Sequence, residues 1–202
     1  MRRRWLTLLL PMVSLAAGCG YNTIQTYDEQ ANSAQGQIEV QLQRRADLVP
    51  SLVNTVKGLA AHETELFTNV ANARAGLLGA IKSGDAAQMA NANQALGGSL
   101  SRLIAVAEAY PAIKADQAFL RLQDELSGTE NRISTARGDY NQAAQQYNTL
   151  IRRFPAAITA KVTGAKPRTY FTVTTPGARD APTVDFSKPA PPAAGAGATK
   201  VP

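Results

Sequence analysis

The sequence predicts an all-α protein: an antiparallel four-helix bundle with long first and fourth helices, followed by a disordered C-terminal tail. Apolar residues recur every three and four residues in four stretches of the chain, a spacing typical of packed helices and not of strands. Glycine or proline signals separate these stretches. From Pro176 to Pro202 the chain has six prolines and no periodicity, which is typical of a disordered tail.

The N-terminus has the pattern of a secretory signal peptide over residues 1–18. Three arginines precede an apolar run, Trp5–Leu15, and small residues follow it. The run is shorter than the roughly 20 residues of a comfortable membrane span. The stretch "LAAGC" resembles a bacterial lipobox and predicts lipidation of Cys19, with an uncleaved signal anchor as the alternative. By analogy with lipoproteins, Gly20 in the next position favours the outer membrane.

The first helix is marked by an apolar seam with one charged position. The seam positions are Ile38, Leu42, Arg45, Val49, Leu52 and Val56. Pro50 lies outside the seam, and the 3-4 spacing of the seam continues past this proline. We therefore expect a kink at Pro50 and the end of the helix at Gly58. A helix end at Pro50 is the alternative.

Two shorter helices follow. The second carries Leu66, Val70, Ala73, Leu77 and Ile81, and we expect it to stop at Ser83-Gly84-Asp85. The third carries Met89, Ala92, Leu96, Ser99, Leu103, Val106 and Tyr110, and Pro111 should end it. Gly97-Gly98 inside the third helix either weakens it or lets a neighbour approach closely.

The longest seam belongs to the fourth helix, which we expect to begin near Ala112. Its positions are Phe119, Leu122, Leu126, Thr129, Ile133, Ala136, Tyr140, Ala143, Tyr147, Leu150 and Phe154. This stretch would span roughly 50 Å and supercoil left-handedly with its partners.

The two long helices should extend beyond the short pair, which is expected to run out near Ala34 and Ala136. Tyr21, Tyr27, Tyr140 and Tyr147 fall in this extension. These tyrosines either hold the two helices together or form an exposed surface for homo-oligomerisation. The predicted organisation is therefore a bundle over 19–160, a short extended segment over 161–175 and the tail over 176–202.

Charge and residue usage exclude several classes of function. Residues 19–160 hold 12 basic and 13 acidic residues, so we expect no nucleic-acid partner despite a net charge of +6. One cysteine excludes an intrachain disulfide, and one histidine, His62, leaves too few ligands for a zinc or di-metal site. His62-Glu63 is better explained as a polar pair at a helix start. We therefore expect no enzyme, metal or cofactor.

Several motifs, taken in their order along the chain, resemble those of the LemA family. They are "RRADLVPSLVNTVKGLAAHE" (44–63), "ANARA" (71–75), "AEAYP" (107–111), "LQDELSGTENRISTARGDYN" (122–141) and "YNTLIRRFP" (147–155). The resemblance covers about residues 21–172. It implies an envelope-associated helical bundle with an N-terminal membrane segment and implies no known reaction. The lipobox-like N-terminus and the Pro/Ala-rich tail depart from the family pattern.

Charged residues near the seams predict a structural polar network. At equal rise per residue, Arg45, Arg74 and Glu130 lie at a similar level of the bundle, so Glu130 should meet Arg45, Arg74 or both. A buried charge must be paired, which would hold the helix register. The alternative is that these residues line a partner-binding groove.

The sequence thus predicts a membrane-tethered scaffold or protein-interaction module of the bacterial cell envelope. The lipoprotein would face the periplasm, and its protein partners are not specified by the sequence. The alternative is a bundle that binds a small molecule or lipid, because the Ala- and Gly-rich stretch Ala92–Leu103 could leave space between helices.

Overall fold

The computed structural model describes residues 2–58 and 63–172, with side chains described from residue 20 onward. These ranges contain six helices and no strand, which confirms the all-α class. The helices are α1 (Arg2–Lys57), α2 (Thr64–Ser83), α3 (Ala86–Glu108), α4 (Pro111–Lys114), α5 (Gln117–Leu150) and α6 (Ala156–Thr163).

Helix α1 passes through Pro50 and ends at Lys57, so the predicted helix end at Gly58 is confirmed and the alternative at Pro50 is wrong. Val49 and Leu52 on either side of the proline are both buried. Pro50 itself is exposed, so its ring lies on the solvent side of the helix. The Ala46 carbonyl oxygen, which has no Pro50 N–H to accept from, accepts from Arg74 Nε instead.

The connections between the shorter helices are set by capping residues. Gly84 adopts the left-handed conformation (φ +67°) at the end of α2. Asp85 caps α3 by accepting a hydrogen bond from the Gln88 amide at 2.8 Å. The expected start of the fourth helix near Ala112 is wrong, because the single turn α4 occupies that position and the long helix α5 begins at Gln117. Asp116 caps α5 by accepting hydrogen bonds from the amides of Ala118 and Phe119.

The C-terminal part of the fold differs from the sequence prediction. Helix α5 ends at Leu150, and Phe154 is exposed, so the seam does not reach that residue. Helix α6 follows and continues to Thr163, past the predicted domain boundary at residue 160. Gly164 ends it in the left-handed conformation (φ +72°). Residues 165–172 then have no regular secondary structure, whereas 173–175 and the predicted tail over 176–202 lie outside the described residues.

Four helices, α1, α2, α3 and α5, share one buried core. Its largest fully buried side chains include Ile38, Leu42 and Leu52 of α1, Leu77 of α2, Met89, Leu96 and Leu103 of α3, and Phe119 and Ile133 of α5. Polar contacts give the direction of the α1–α5 pair: Arg44 meets Glu125, whereas Asp28 lies beside Tyr147. These two helices therefore run antiparallel.

Helices α1 and α5 extend beyond α2 and α3 as a two-helix stem. Gln35 donates to the Gly84 carbonyl oxygen at 2.9 Å, so the short helices end within one residue of the expected Ala34. The stem consists of residues 20–34 of α1 and 141–150 of α5. A second, smaller core holds it to α6 and contains Ile24, Tyr147, Ile151, Ala156 and Ala160.

Among the residues that the structure describes, no helix combines the length and the apolar character that a bilayer crossing requires.

Candidate functional site

The most constrained polar group of the bundle is Arg45, on α1. Its Nη1 donates to Asn93 Oδ1 of α3 at 2.9 Å and also pairs with Glu130 Oε2 of α5. The Arg45 side chain is 9% exposed, whereas that of Glu130 is 48% exposed. One guanidinium therefore connects three helices, with its counter-ion at the edge of the core.

Burial of Arg45 has an electrostatic cost. Desolvation lowers the pKa of its guanidinium from the ordinary value. Its Nε has no hydrogen-bond partner among the described residues. The two contacts of Nη1 therefore carry much of the compensation for removing this charge from water.

Gly97 of α3 lies against the Arg45 guanidinium. A Cβ at residue 97 would lie 3.5 Å from Arg45 Nη2, whereas a Cβ at Gly98 would have no neighbour within 4 Å. Gly97, a small residue expected to let a neighbour approach closely, thus faces Arg45. A side chain longer than that of alanine at residue 97 would contact the Arg45 guanidinium.

The other predicted member of the network, Arg74, has different partners. Its Nε donates to the Ala46 carbonyl oxygen at 2.8 Å, and its Nη2 lies 3.9 Å from Asp47 Oδ1. Among the described residues, no ion pair joins Arg74 to Glu130. Arg74 instead connects α2 to α1, one residue after Arg45 along that helix.

A second polar arrangement, absent from the sequence prediction, fastens the chain after α6 to the stem. We call residues 165–172 the clasp. The Asn148 side chain bonds both backbone groups of Arg168, at 2.8 and 2.9 Å, and Asn141 bonds both of Phe171 in the same way, at 2.8 and 2.9 Å. The two asparagines are seven residues apart on a helix, which corresponds to about 10.5 Å. Arg168 and Phe171 are three residues apart in an extended chain, which corresponds to about 10 Å, so the two spacings match.

Side chains of the clasp add further contacts to both stem helices. Arg168 bonds Asp28 Oδ1 of α1 at 2.8 and 3.0 Å and lies over the Tyr147 ring. Phe171 packs edge-on against Tyr140, with ring centroids 5.2 Å apart. The Tyr140 hydroxyl donates to the Thr169 carbonyl oxygen at 3.0 Å.

The same enclosure perturbs the two tyrosines of α5. Desolvation raises the pKa of the Tyr140 phenol, and the nearby Arg168 charge opposes this rise. Desolvation, followed by the Asp28 charge, raises the pKa of Tyr147. Both phenols are therefore neutral groups that serve packing and hydrogen bonding.

The clasp has one sequence signal that can be recognised. Tyr140-Asn141 and Tyr147-Asn148 repeat the same dipeptide at a spacing of seven residues. This repeat places two asparagines on one face of α5, beside two buried tyrosines. The repeat alone does not indicate which segment the asparagines bind, because their partners are backbone groups.

The remaining predicted sites fall on parts of the chain without described side chains. Cys19 lies within α1, but its side chain is outside the described part, and His62 is outside it altogether. Among the described residues, no group of three or more His, Cys, Asp or Glu side chains is arranged to hold a metal ion.

The Arg45 contacts predict unequal effects of one substitution at two positions of α5. Glu130→Gln should lower the free energy of unfolding by about 1–3 kcal/mol, because a buried guanidinium loses its counter-ion. Partial exposure of Glu130 keeps this cost below that of a dry ion pair. Glu125→Gln is the matched control, since Glu125 pairs at 3.0 Å with the exposed Arg44 and should cost less than about 1 kcal/mol.

Denaturant titrations of a double-mutant cycle measure this pairing. Glu130→Gln and Arg45→Met should couple by about 1 kcal/mol or more, whereas Glu130→Gln and Arg74→Met should not couple. Equal costs at residues 125 and 130, with no coupling to Arg45, would contradict the assigned contact.

The clasp predicts a local effect of Asn148→Ala. The Arg168 amide loses its acceptor, so amides 168–171 should exchange with solvent about tenfold faster, as read by hydrogen exchange and mass spectrometry. Asn131→Ala is the control, because Asn131 is an exposed asparagine of the same helix. Unchanged exchange in Asn148→Ala would show that the clasp is held by other contacts.

Comparison with known proteins assigns the chain to a family. The family model described as "LemA family" matches residues 34–186. Magnetosome proteins MamQ 1 and MamQ 2 of Paramagnetospirillum magneticum are each 33% identical over 176 residues, which cover 75% of this chain. Magnetosome protein MamQ of Magnetospirillum gryphiswaldense is 29% identical over 174 residues. The chain spans 64% of the length of each of these relatives. It belongs to the LemA family.

Proposed function

We propose that this protein is a membrane-tethered helical scaffold of the bacterial cell envelope, which presents its bundle to protein partners and has no catalytic role. The observation that carries the proposal is the two-helix stem. It lies between the predicted lipidation site, Cys19, and the end of the bundle formed by four helices.

The stem supplies a defined distance between membrane and bundle. The short helices end beside Gln35, about 15 residues from Gly20, which corresponds to about 22 Å of helix. The α1–α5 pair is narrow, so it needs reinforcement to hold its shape. The second core and the clasp provide this reinforcement from both stem helices and from α6.

The surface of the bundle supports interaction with another protein. A shallow groove of about 340 Å³ runs between α1 and α5 and is lined by Gln37, Gln41, Asn131, Arg132, Thr135, Ala136 and Asp139. Val40 is exposed on the same helix as Gln37 and Gln41. A polar groove beside an exposed apolar residue fits the rim of a protein interface, which is polar and solvent-accessible.

The relatives are compatible with this role. The MamQ relatives are named magnetosome proteins, and these names mention no reaction, which supports a role without catalysis. We propose that the protein lies in the envelope with its lipidated end in the outer membrane, and that it has no nucleic-acid partner.

The alternative of a small-molecule or lipid-binding bundle is less well supported. It was suggested by small residues of α3, but Gly97 faces the Arg45 guanidinium and Leu96, Leu100 and Leu103 are buried. The space expected beside Gly97 is thus taken by the protein itself. Mass spectrometry of the purified protein for a co-purified ligand separates the two functions.

Cys19→Ser tests the tether. In cells fed labelled palmitate, the unaltered chain should carry label and sediment with membranes, whereas Cys19→Ser should lose the label and accumulate as precursor or released protein. Ser33→Ala, an exposed substitution on α1, is the control and should behave as the unaltered chain. Undiminished labelling of Cys19→Ser would contradict lipidation at this residue.

Photocrosslinking in cells that produce the protein tests the scaffold role. A photocrosslinking residue at Gln41 should capture defined envelope proteins, and one at Arg102, an exposed residue of α3, should not. Identical crosslinking at both positions would argue against the α1–α5 groove as the interface.

A further inference from the structure

Helix α6 exposes apolar side chains that the fold does not cover. Ile158 is 60% exposed and Val162 is 82% exposed, while Phe154, just before the helix, is 83% exposed. Ala156 and Ala160, by contrast, are buried against the stem. The small side chains of α6 thus face the protein and the large ones face outward.

The two exposed apolar residues of α6 share one face. Ile158 and Val162 are four residues apart and therefore lie above one another on a helix. Ala156 and Ala160 form the opposite pair, since two residues correspond to about 200° of rotation. The helix is amphipathic, and its large apolar side chains lie on the side away from the protein.

Basic residues lie close in the sequence to this apolar face. Residues 151–172 contain five Lys or Arg residues and no acid. Arg168 is engaged with Asp28, whereas Arg152, Arg153, Lys161 and Lys166 are exposed and form no ion pair with a described carboxylate. The surface around α6 therefore suits a negatively charged partner.

Helix α6 also lies at the end of the stem where the tether is predicted. A Cβ at Gly20 would lie 3.2 Å from Thr159 Oγ1 and 3.5 Å from Ala156 Cα, so α1 and α6 approach closely at this residue. Gly20 directly follows Cys19 in the chain.

We propose that α6 and Phe154 form a membrane-docking surface that lies on a bilayer containing anionic lipid. Phe154, Ile158 and Val162 enter the interfacial region, and Arg152, Arg153, Lys161 and Lys166 contact the headgroup phosphates. The inference rests on the proposed function in one respect, since it uses the membrane near the predicted tether. The lipid at Cys19 would hold the chain on the membrane, and α6 with its flanking basic residues would add a second contact that orients the stem on the bilayer.

The charge pattern favours a lipid surface over a second copy of the chain. If two α6 helices packed face to face, the same four cations would meet their counterparts, and residues 151–172 supply no acid to separate them. Like charges across an interface disfavour association. Anionic headgroups, in contrast, complement both the cations and the apolar residues.

Fluorescence of the full-length protein reconstituted with vesicles tests this surface. Val162→Cys in a Cys19→Ser background carries an environment-sensitive NBD label, so a signal at residue 162 does not depend on lipidation. The label should shift to the blue and be quenched by lipids spin-labelled near the headgroup. Both effects should be strong with phosphatidylglycerol present and weaken in its absence or at high salt.

Matched labels and substitutions separate specific from general effects. Val40→Cys is the control label, because Val40 is 59% exposed on α1 but lies away from α6, and it should stay in water. Ile158→Asp should abolish quenching at residue 162. Lys161→Gln with Lys166→Gln should remove the preference for anionic lipid, whereas Lys57→Gln with Lys114→Gln, at the other end of the bundle, should keep it.

Flotation of the lipidated protein with the vesicles reports the tether independently. If it floats while a label at residue 162 stays in water, the docking surface is wrong and the tether stands. If the lipidated protein does not float, the predicted tether is wrong. The NBD label at residue 162, on protein mixed with vesicles, then still decides whether α6 docks on the bilayer. Equal quenching without anionic lipid, or protection of residue 162 only when cell extract is added, would overturn the lipid assignment.

Discussion

The register of the bundle depends on the burial of one positive charge, that of Arg45. A guanidinium that is largely removed from water must find partners at its own level, or its desolvation cost is not compensated. Asn93 of α3 and Glu130 of α5 supply these partners, and Gly97 leaves room for the group. A shift of either helix by one turn would strand the charge, whereas apolar contacts alone would tolerate such a shift more easily.

The sequence was sufficient to predict the features that arise from periodicity. Leu42, Leu52, Leu77, Leu103 and Ile133 were placed in seams, and all are buried. The level of Arg45 relative to Glu130 followed from the rise of a helix. Periodicity could not give the start of α5, because Asp116 sets this start through capping hydrogen bonds. Periodicity also extended the seam to Phe154, although the helix ends at Leu150.

The partners of Arg74 and the clasp were missed for a different reason. Arg74 bonds the Ala46 carbonyl oxygen, and Asn141 and Asn148 bond the backbone of Phe171 and Arg168. The Ala46 carbonyl oxygen could have been recognised, because Pro50, four residues later, has no N–H to bond it. For the clasp no such signal exists, since backbone groups are present at every residue. Such contacts depend on the tertiary path of the chain, which the Tyr-Asn repeat at residues 140 and 147 only suggests.

The two ends of the molecule differ in chemistry. The bundle is stabilised by a continuous apolar core with few buried polar groups, Arg45, Asn93 and Thr129 among them. The stem has a small core and gains its strength from side-chain bonds to the clasp. Helix α6, with basic residues before and after it in the chain, lies at the far end of this stem. This division suits a protein whose stem end is devoted to attachment and whose bundle is a rigid body.

Nitrogen-15 NMR of the arginine side chains tests the central claim most directly, because it reports on the guanidinium itself. A buried Arg45 that is bonded to Asn93 and Glu130 should give distinct Nη–H signals, with slow rotation and slow exchange with water. Exposed arginines such as Arg102 should show averaged, rapidly exchanging signals. The account predicts one protected set of signals that disappears in Arg45→Lys and changes in Asn93→Ala. An averaged, rapidly exchanging Arg45 signal would contradict it.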